Sequence, residues 1–275
     1  MATCARCGNV LESAERGRPR RYCSRACRAK AYRARVAQEP DDTAANPDAQ
    51  ATHLTVEVIV RTGIAIADAE GLDALSMRRV ASDLDAGTMS LYRYVPSKDE
   101  LVALMVEAAM TEAPPPDPAP RGWREGLESA AHRDWQLYRR HPWILRNVMV
   151  STRLRTSPGI AADSERTFTS FDGLDLEPRE AFRYVFMIAA YTQGVAMTLV
   201  DEIEAERRSG LTAAQWRKAA APSWDSLFES GAYPRLTRAM RAVGDSWDLD
   251  ALFRSGLTGV LDGIAASLAR RGEHD

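Results

Sequence analysis

Ser76-Met77-Arg78-Arg79-Val80-Ala81-Ser82-Asp83-Leu84-Asp85-Ala86-Gly87-Thr88-Met89-Ser90-Leu91-Tyr92-Arg93-Tyr94-Val95-Pro96-Ser97-Lys98-Asp99-Glu100 is the stretch on which the fold turns. Ser76 is placed to N-cap a short helix over Met77 to Leu84, with Val80, Ala81 and Leu84 inward. Asp85-Ala86-Gly87 is too short for anything but a tight turn. A second short helix, Thr88 to Val95, follows and is ended by Pro96. Two short helices across such a turn outline a helix-turn-helix. Ser97-Lys98-Asp99-Glu100 then reads as a capping box, opening a helix whose inner face is Leu101, Leu104, Met105 and Ala108.

Upstream, Val60, Gly63, Ile64 and Ala67 stand at i, i+3, i+4 and i+7, so Leu54 to Glu70 reads as an amphipathic helix stopped by Gly71. Residues 54–113 thus form one small helical domain. Its signals are Glu70-Gly71-Leu72, Ser76 to Ala81 and Leu91 to Leu101, and in order and spacing they resemble the DNA-binding domain of TetR (tetracycline-repressor-like) transcriptional regulators. Two positions depart from that pattern. Asp85 stands where the turn usually has Gly, and Asp tolerates the left-handed conformation better than most residues. Gly87 stands where Ser or Thr is usual, and Gly is an acceptable N-cap.

In a helix-turn-helix the second helix enters the major groove and the first crosses the backbone. With Leu91 and Val95 used for packing, the second helix offers Thr88, Met89, Ser90, Tyr92, Arg93 and Tyr94. Thr88 and Ser90 can hydrogen-bond base edges or phosphates, and Met89 can touch a thymine methyl. Arg78, Tyr92, Tyr94 and Lys98 suit phosphate contacts, with Lys98 at a helix N-terminus that itself attracts anions. Core packing with an exposed hydroxyl is the plainer reading of the two tyrosines. The domain's charge works against affinity, since residues 54–113 hold five basic residues against ten acidic ones.

The positive charge sits elsewhere. The whole chain of 275 residues has net charge −2, but residues 1–38 carry ten basic residues against Glu12 and Glu15. The same segment holds all four cysteines, Cys4, Cys7, Cys23 and Cys27, in a C-x2-C…C-x3-C pattern. Two close pairs separated by a basic loop are the spacing of a structural four-thiolate zinc site, with no open position for chemistry. Helical spacing of Cys23 and Cys27 puts both sulfurs on one face. A disulfide pairing is the alternative, which a reducing compartment disfavours. The segment resembles small zinc-ribbon or treble-clef modules fused to some bacterial regulators. Residues 39–53, with Pro40, Asp41, Asp42, Pro47 and Asp48, read as a flexible linker with a coil dimension on the order of 20 Å. The basic module is therefore expected either to reach phosphates flanking the operator or to dock a protein partner.

After the proline-rich break near Pro114 to Pro120, residues 121–275 are helical in pattern. Helices are expected over Trp123 to His141, Trp143 to Val150, Ser164 to Phe171, Arg179 to Arg208, Ala213 to Ala221, Trp224 to Glu229, Pro234 to Ala242 and Leu249 to Arg271. Tyr138 to Trp143 and Leu252 to Ile264 resemble the regulatory domain of the tetracycline-repressor subgroup. That resemblance implies a homodimer paired through Arg179 to Arg208 and Leu249 to Arg271, and a small-molecule pocket. Gly256, Gly259 and Gly263 suit close helix contact, and Val195 lies within the other pairing helix. Trp135, Tyr138, His141, Trp143, Asn147, Tyr191 and Gln193 are candidates to line the pocket, although core packing is the plainer reading for most.

The expected architecture is all-α: a zinc module, a linker, a three-helix helix-turn-helix domain and a helical ligand-binding and dimerisation domain. The expected function is a DNA-binding repressor, released from a palindromic operator by a small-molecule effector. The acidic balance of residues 54–113 keeps open a helical small-molecule-binding or enzymatic protein that has lost operator recognition. No catalytic motif, phosphate loop or dinucleotide fingerprint occurs, so neither enzyme chemistry nor a catalytic cofactor is expected. No apolar run has membrane length and the first residues lack a signal-peptide pattern, so a cytoplasmic protein is expected.

Overall fold

The structure, a computed structural model, describes residues 3, 4, 7, 23, 27, 54–113, 116–148, 157–244 and 248–272. The chain divides into two compact units, Met1–Thr52 and His53–Asp275. In the first, the four cysteines are described. The helix expected to run on from Cys27, and the linker at 39–53, lie outside the described residues.

The second unit contains eleven α-helices among the described residues, and no strand. Helix α1 (Val56–Glu70) is N-capped by Thr55, whose side chain accepts from the Val58 N–H, and is ended by Gly71 at φ 87°. A 3-10 turn (Leu72–Ala74) leads to α2 (Met77–Asp83) and α3 (Thr88–Leu91), and then to α4 (Lys98–Thr111). Gly63 lets α1 and α4 cross closely, because a Cβ there would meet Met105 Sδ at 2.9 Å. Ile59, Leu75, Val80, Leu91, Val95, Leu101 and Met105 close the core of this small bundle.

The regulatory part comprises α5 (Gly122–Arg140), α6 (Leu145–Val148), α7 (Pro158–Phe168), α8 (Pro178–Ser209), α9 (Ala213–Glu229), α10 (Pro234–Val243) and α11 (Leu249–Gly272). Its centre is α5 packed on α8 and α11. Trp135 of α5 stacks on Phe253 of α11 with centroids 4.8 Å apart, and its indole N–H donates to Asp250 Oδ1 at 2.7 Å. That bond is the main reason the Asp250 carboxyl lies below its ordinary range, burial opposing it and Arg139 assisting.

Three expectations change. Helix α7 starts at Pro158, capped by the Ser157 side chain, rather than at Ser164. Pro at the first helical position lacks only an N–H that the helix would leave unpaired. The expected break between Ala221 and Trp224 is absent, and α9 runs through Pro222. Pro removes one intrahelical bond there, but α9 has no buried residue and Lys218 is exposed, so the freed carbonyl can meet water. Gly256 and Val195 face the protomer's own core. A Cβ at Gly256 would run into the Tyr191 ring, whose hydroxyl donates to the Leu252 and Phe253 carbonyls. A Cβ at Gly194, Gly259 or Gly263 meets open space instead.

Two stability predictions follow from this packing. Gly256→Ala pushes Tyr191 off two carbonyls and costs about 1–3 kcal/mol; thermal unfolding reads the loss, while sedimentation still finds the wild-type oligomer. Asp134 on α5 has its carboxyl pushed up to about 7, by burial first and then by Asp163, against Arg133. An acid raised in the folded state binds its proton more tightly there. It therefore favours folding at low pH and loses that contribution as pH rises from about 4 through 7. Asp134→Asn removes this decline, so the Tm difference between the variant and wild type grows in the variant's favour from pH 5 to pH 8.

Candidate DNA-reading head

Ser76 Oγ accepts from the Arg79 N–H at 3.1 Å and starts α2. The turn closes through the Ala86 N–H on the Ala81 carbonyl at 2.8 Å, with Asp85 at φ 49°, the one non-glycine residue in the left-handed region among those described. Helix α3 is shorter than the expected Thr88 to Val95. Its regular part ends at Leu91, and a turn carries Tyr92 to Tyr94, with the Tyr94 and Val95 N–H groups both on the Leu91 carbonyl at 2.9 Å. Pro96 disfavours helical geometry at Val95, which shortens the element. Ser97 Oγ accepts from the Glu100 N–H at 3.1 Å and starts α4.

Leu91 and Val95 are fully buried and fix the orientation of everything between them. Met89 is 78% exposed, and Tyr92 and Tyr94 are each 43% exposed. Arg78, Arg93 and Lys98 are exposed, whereas Thr88 and Ser90 are half-buried. Lys98 Nζ rests on the Leu72 carbonyl at 3.4 Å.

Part of the acidic balance of this domain is met by local partners. Arg79 is not available to a phosphate, because it pairs with Glu70 at 2.8 Å and Asp83 at 2.9 Å. Glu107 accepts from the Gly159 N–H at 2.9 Å, at the start of α7. Asp68 and Glu112 both face His141 of the regulatory part. Five of the ten acids thus have partners of their own, and Arg78, Arg93 and Lys98 stand exposed around the recognition turn. Only the Arg79–Asp83 pair, four residues apart on one helix, is visible in the spacing of the sequence.

The seven residues considered for an effector pocket do not line one described cavity. Trp135 stacks on Phe253, and Tyr191 is held by α11. Gln193 donates to the Tyr138 hydroxyl and the Val148 carbonyl, each at 3.3 Å. Asn147 donates to the Trp143 carbonyl. His141 and Trp143 turn toward the reading head, both on Asp68. Only Trp143 borders a described cavity, one of about 370 Å³ beside Gly71 and Arg207. A larger cavity of about 550 Å³ lies among α8, α9, α10 and α11, walled by Trp216, Trp224, Phe228 and Met240 with Glu202 and Arg217.

In the N-terminal unit, Cys4, Cys7, Cys23 and Cys27 bring their sulfurs within 4.8 Å of one another. The Cys7–Cys23 and Cys23–Cys27 separations are 3.4 and 3.5 Å, and the Cys23 N–H donates to Cys4 Sγ. A disulfide needs about 2.05 Å, so none of these sulfurs is joined in a disulfide. A tetrahedron with Zn–S bonds of about 2.3 Å has edges of about 3.8 Å, close to what is seen. The Cys23 thiol is pushed up to about 12, chiefly by its hydrogen bond with Cys7 and then by Cys27 and Cys4.

Among the described residues, no helix is long and apolar enough to cross a membrane. A repressor of Streptomyces coeruleorubidus named HTH-type transcriptional repressor DrrR1 is 40% identical over 223 residues, 80% of this chain and 81% of that one. Among solved structures, the TetR family protein ActR of Streptomyces coelicolor in complex with actinorhodin is 28% identical with a TM-score of 0.61, covering 78% of this chain and 97% of that one. Apo ActR gives 26% identity and a TM-score of 0.59, over 79% and 98%. The family described as bacterial regulatory proteins, tetR family, matches residues 59–105, and the tetracyclin repressor-like C-terminal domain matches residues 115–268. With both halves matched and the reading head built as the spacing required, the chain belongs to the TetR family of transcriptional regulators, non-enzymatic proteins that bind operator DNA, dimerise and respond to small molecules.

Proposed function

We propose that this chain is a homodimeric repressor that sets two α3 turns into successive major grooves of a palindromic operator and leaves it when an effector binds the regulatory part. The observation that carries the reading is the exposed side-chain set around α3, Met89, Tyr92, Arg93 and Tyr94, projecting from a turn anchored by fully buried Leu91 and Val95. The 40% identity to a named repressor supports repression, and the ActR–actinorhodin complex supports an organic effector. The effector acts by its difference in affinity for the two arrangements of the heads. The cavity walled by Trp216, Trp224 and Phe228 has the size and aromatic surface for such a molecule. Acting on chromosomal DNA, the protein works in the cytoplasm.

Arg78, Tyr92, Tyr94 and Lys98 are assigned to phosphates, and Thr88, Met89 and Ser90, with Arg93, to the groove. Footprinting on the upstream intergenic DNA tests the whole reading, since absence of palindromic protection at low salt sinks it. At residue level, Tyr92→Ala and Lys98→Ala weaken binding to operator and unrelated DNA alike, and Lys98→Ala, which removes a positive charge, also lowers the log–log salt slope by about 0.9. Thr88 and Met89 substitutions instead change base preference by about 1–3 kcal/mol per affected base pair. A Lys98→Ala protein with unchanged affinity and slope removes Lys98 from the assignment.

Cys4, Cys7, Cys23 and Cys27 are proposed to hold one structural zinc ion. The support is the clustering of four cysteine sulfurs, none in a disulfide, at near-tetrahedral separations. The basic residues of 1–38 then add non-specific DNA affinity to the head. Purified protein is expected to release about one zinc per chain on mercurial titration, and Cys23→Ser to abolish most of that release. Deleting residues 1–38 flattens the salt dependence of operator binding if the module touches DNA; an unchanged slope points to a protein-docking role.

A further inference from the structure

His141 sits where the two parts of the second unit meet. It caps the C-terminus of α5, with its own N–H on the Leu137 carbonyl, and Pro142 follows at once to start the 3-10 turn Pro142–Ile144. Its side chain is 4% exposed. Nδ1 lies 2.8 Å from Asp68 Oδ1, near the end of α1. Nε2 lies 3.1 Å from Glu112 Oε2, just past the end of α4. Each ring nitrogen thus has one carboxylate oxygen within hydrogen-bond distance, one from each helix, and the ring sits at the C-terminal end of a 19-residue helix.

The surrounding groups reinforce the pair. The Trp143 indole donates to the same Asp68 Oδ1 at 2.7 Å, and Arg140 reaches Glu112 Oε2 at 3.3 Å. Arg207 of α8 donates to the Asp68 backbone carbonyl at 2.7 Å. Burial raises the Glu112 carboxyl, yet His141 and then Arg140 hold it below its ordinary range. One ring thus grips both helices that bracket the reading turn. Helix α1 leads into α2 through Gly71, and α4 begins three residues after Val95. The same α5 carries Trp135 and Tyr138 into the regulatory core one to two turns earlier. A shift of α5 along its axis moves His141, and with it both brackets.

We propose that His141 is the positioning residue that clamps the reading head to the regulatory domain and sets the relative placement of the recognition turns. The clamp's consequence for DNA rests on the repressor reading above; the clamp itself is measurable without DNA.

The test uses the full-length protein with His141→Phe, which keeps a ring and removes both nitrogens, and His141→Gln, which keeps one. Hydrogen exchange of the free dimer reads the clamp. In His141→Phe, amides at the end of α1 and in α4 are expected to exchange at least tenfold faster, with α8 and α11 unchanged and His141→Gln in between. Binding to the footprinted operator, with and without one base pair inserted between half-sites, reads the positioning. The wild type loses at least tenfold affinity on insertion, and His141→Phe shrinks that ratio at least fivefold. Unchanged exchange in α1 and α4 overturns the clamp, as does equal acceleration in α8 and α11, which signals only general loosening. Faster exchange with an unchanged insertion ratio overturns the positioning role. Faster exchange in a protein that protects no palindrome upholds the clamp and sinks the repressor reading instead. Should His141→Phe not fold, Asp68→Asn and Glu112→Gln take its place, with the same outcomes decisive.

Discussion

Helix α3 has four residues, and a single helical turn has no means of holding itself in water, because fixing its dihedrals costs more than its few hydrogen bonds return. Its existence depends on burial of Leu91 and Val95 against the core that Val80, Leu101 and Met105 complete. The placement of Met89, Tyr92, Arg93 and Tyr94 hangs from those two side chains. The same dependence explains the tight surroundings. Asp85 in the left-handed region closes the approach from α2, Pro96 ends the turn, and Ser97 caps the helix that carries the load away. The closeness of α1 and α4 at Gly63 keeps that core from opening.

The charge of the head is a matter of placement rather than sum. A domain with twice as many acids as bases is a poor polyanion ligand if its charges are spread evenly. Here half of the acids have partners of their own. Glu70 and Asp83 are neutralised by Arg79, Glu107 caps α7, and Asp68 and Glu112 meet His141. Several acids that would repel DNA therefore serve to attach the head to the regulatory part. A surface ion pair contributes little to stability by itself, but these contacts converge on a buried ring and act together.

The regulatory part has a well-ordered centre and a loosely seated margin. Trp135, Phe253, Tyr184, Ile188, Leu257 and Leu261 form a continuous core across α5, α8 and α11. Helices α9 and α10 bury no residue and leave Trp216, Trp224, Tyr233 and Leu236 substantially exposed around the aromatic cavity. Exposed aromatic surface of this kind belongs to recognition rather than to the core. The division suits a sensor, in which the part that changes occupancy should not also be the part that holds the fold.

From the sequence alone came everything governed by local chemistry. Helical periodicity, the caps at Ser76 and Ser97, the stop at Gly71 and the break at Pro96 all act over a few residues, so the helix-turn-helix and the order of the regulatory helices were legible. The cysteine spacing likewise announced a cluster, because two short-range pairs need only one closure. Where local rules compete, the reading slipped: Pro222 suggested a break that an exposed helix tolerates, and Ser164 hid the better start at Ser157 and Pro158. What only the tertiary structure decided were contacts between residues far apart in the chain. Gly256 makes room for the Tyr191 ring of its own protomer, and His141 joins Asp68 and Glu112, 73 and 29 residues away. Such pairings have no period and no spacing, because they are fixed by how helices cross once their apolar faces are buried, and a polar side chain then takes whichever partner the crossing brings within reach.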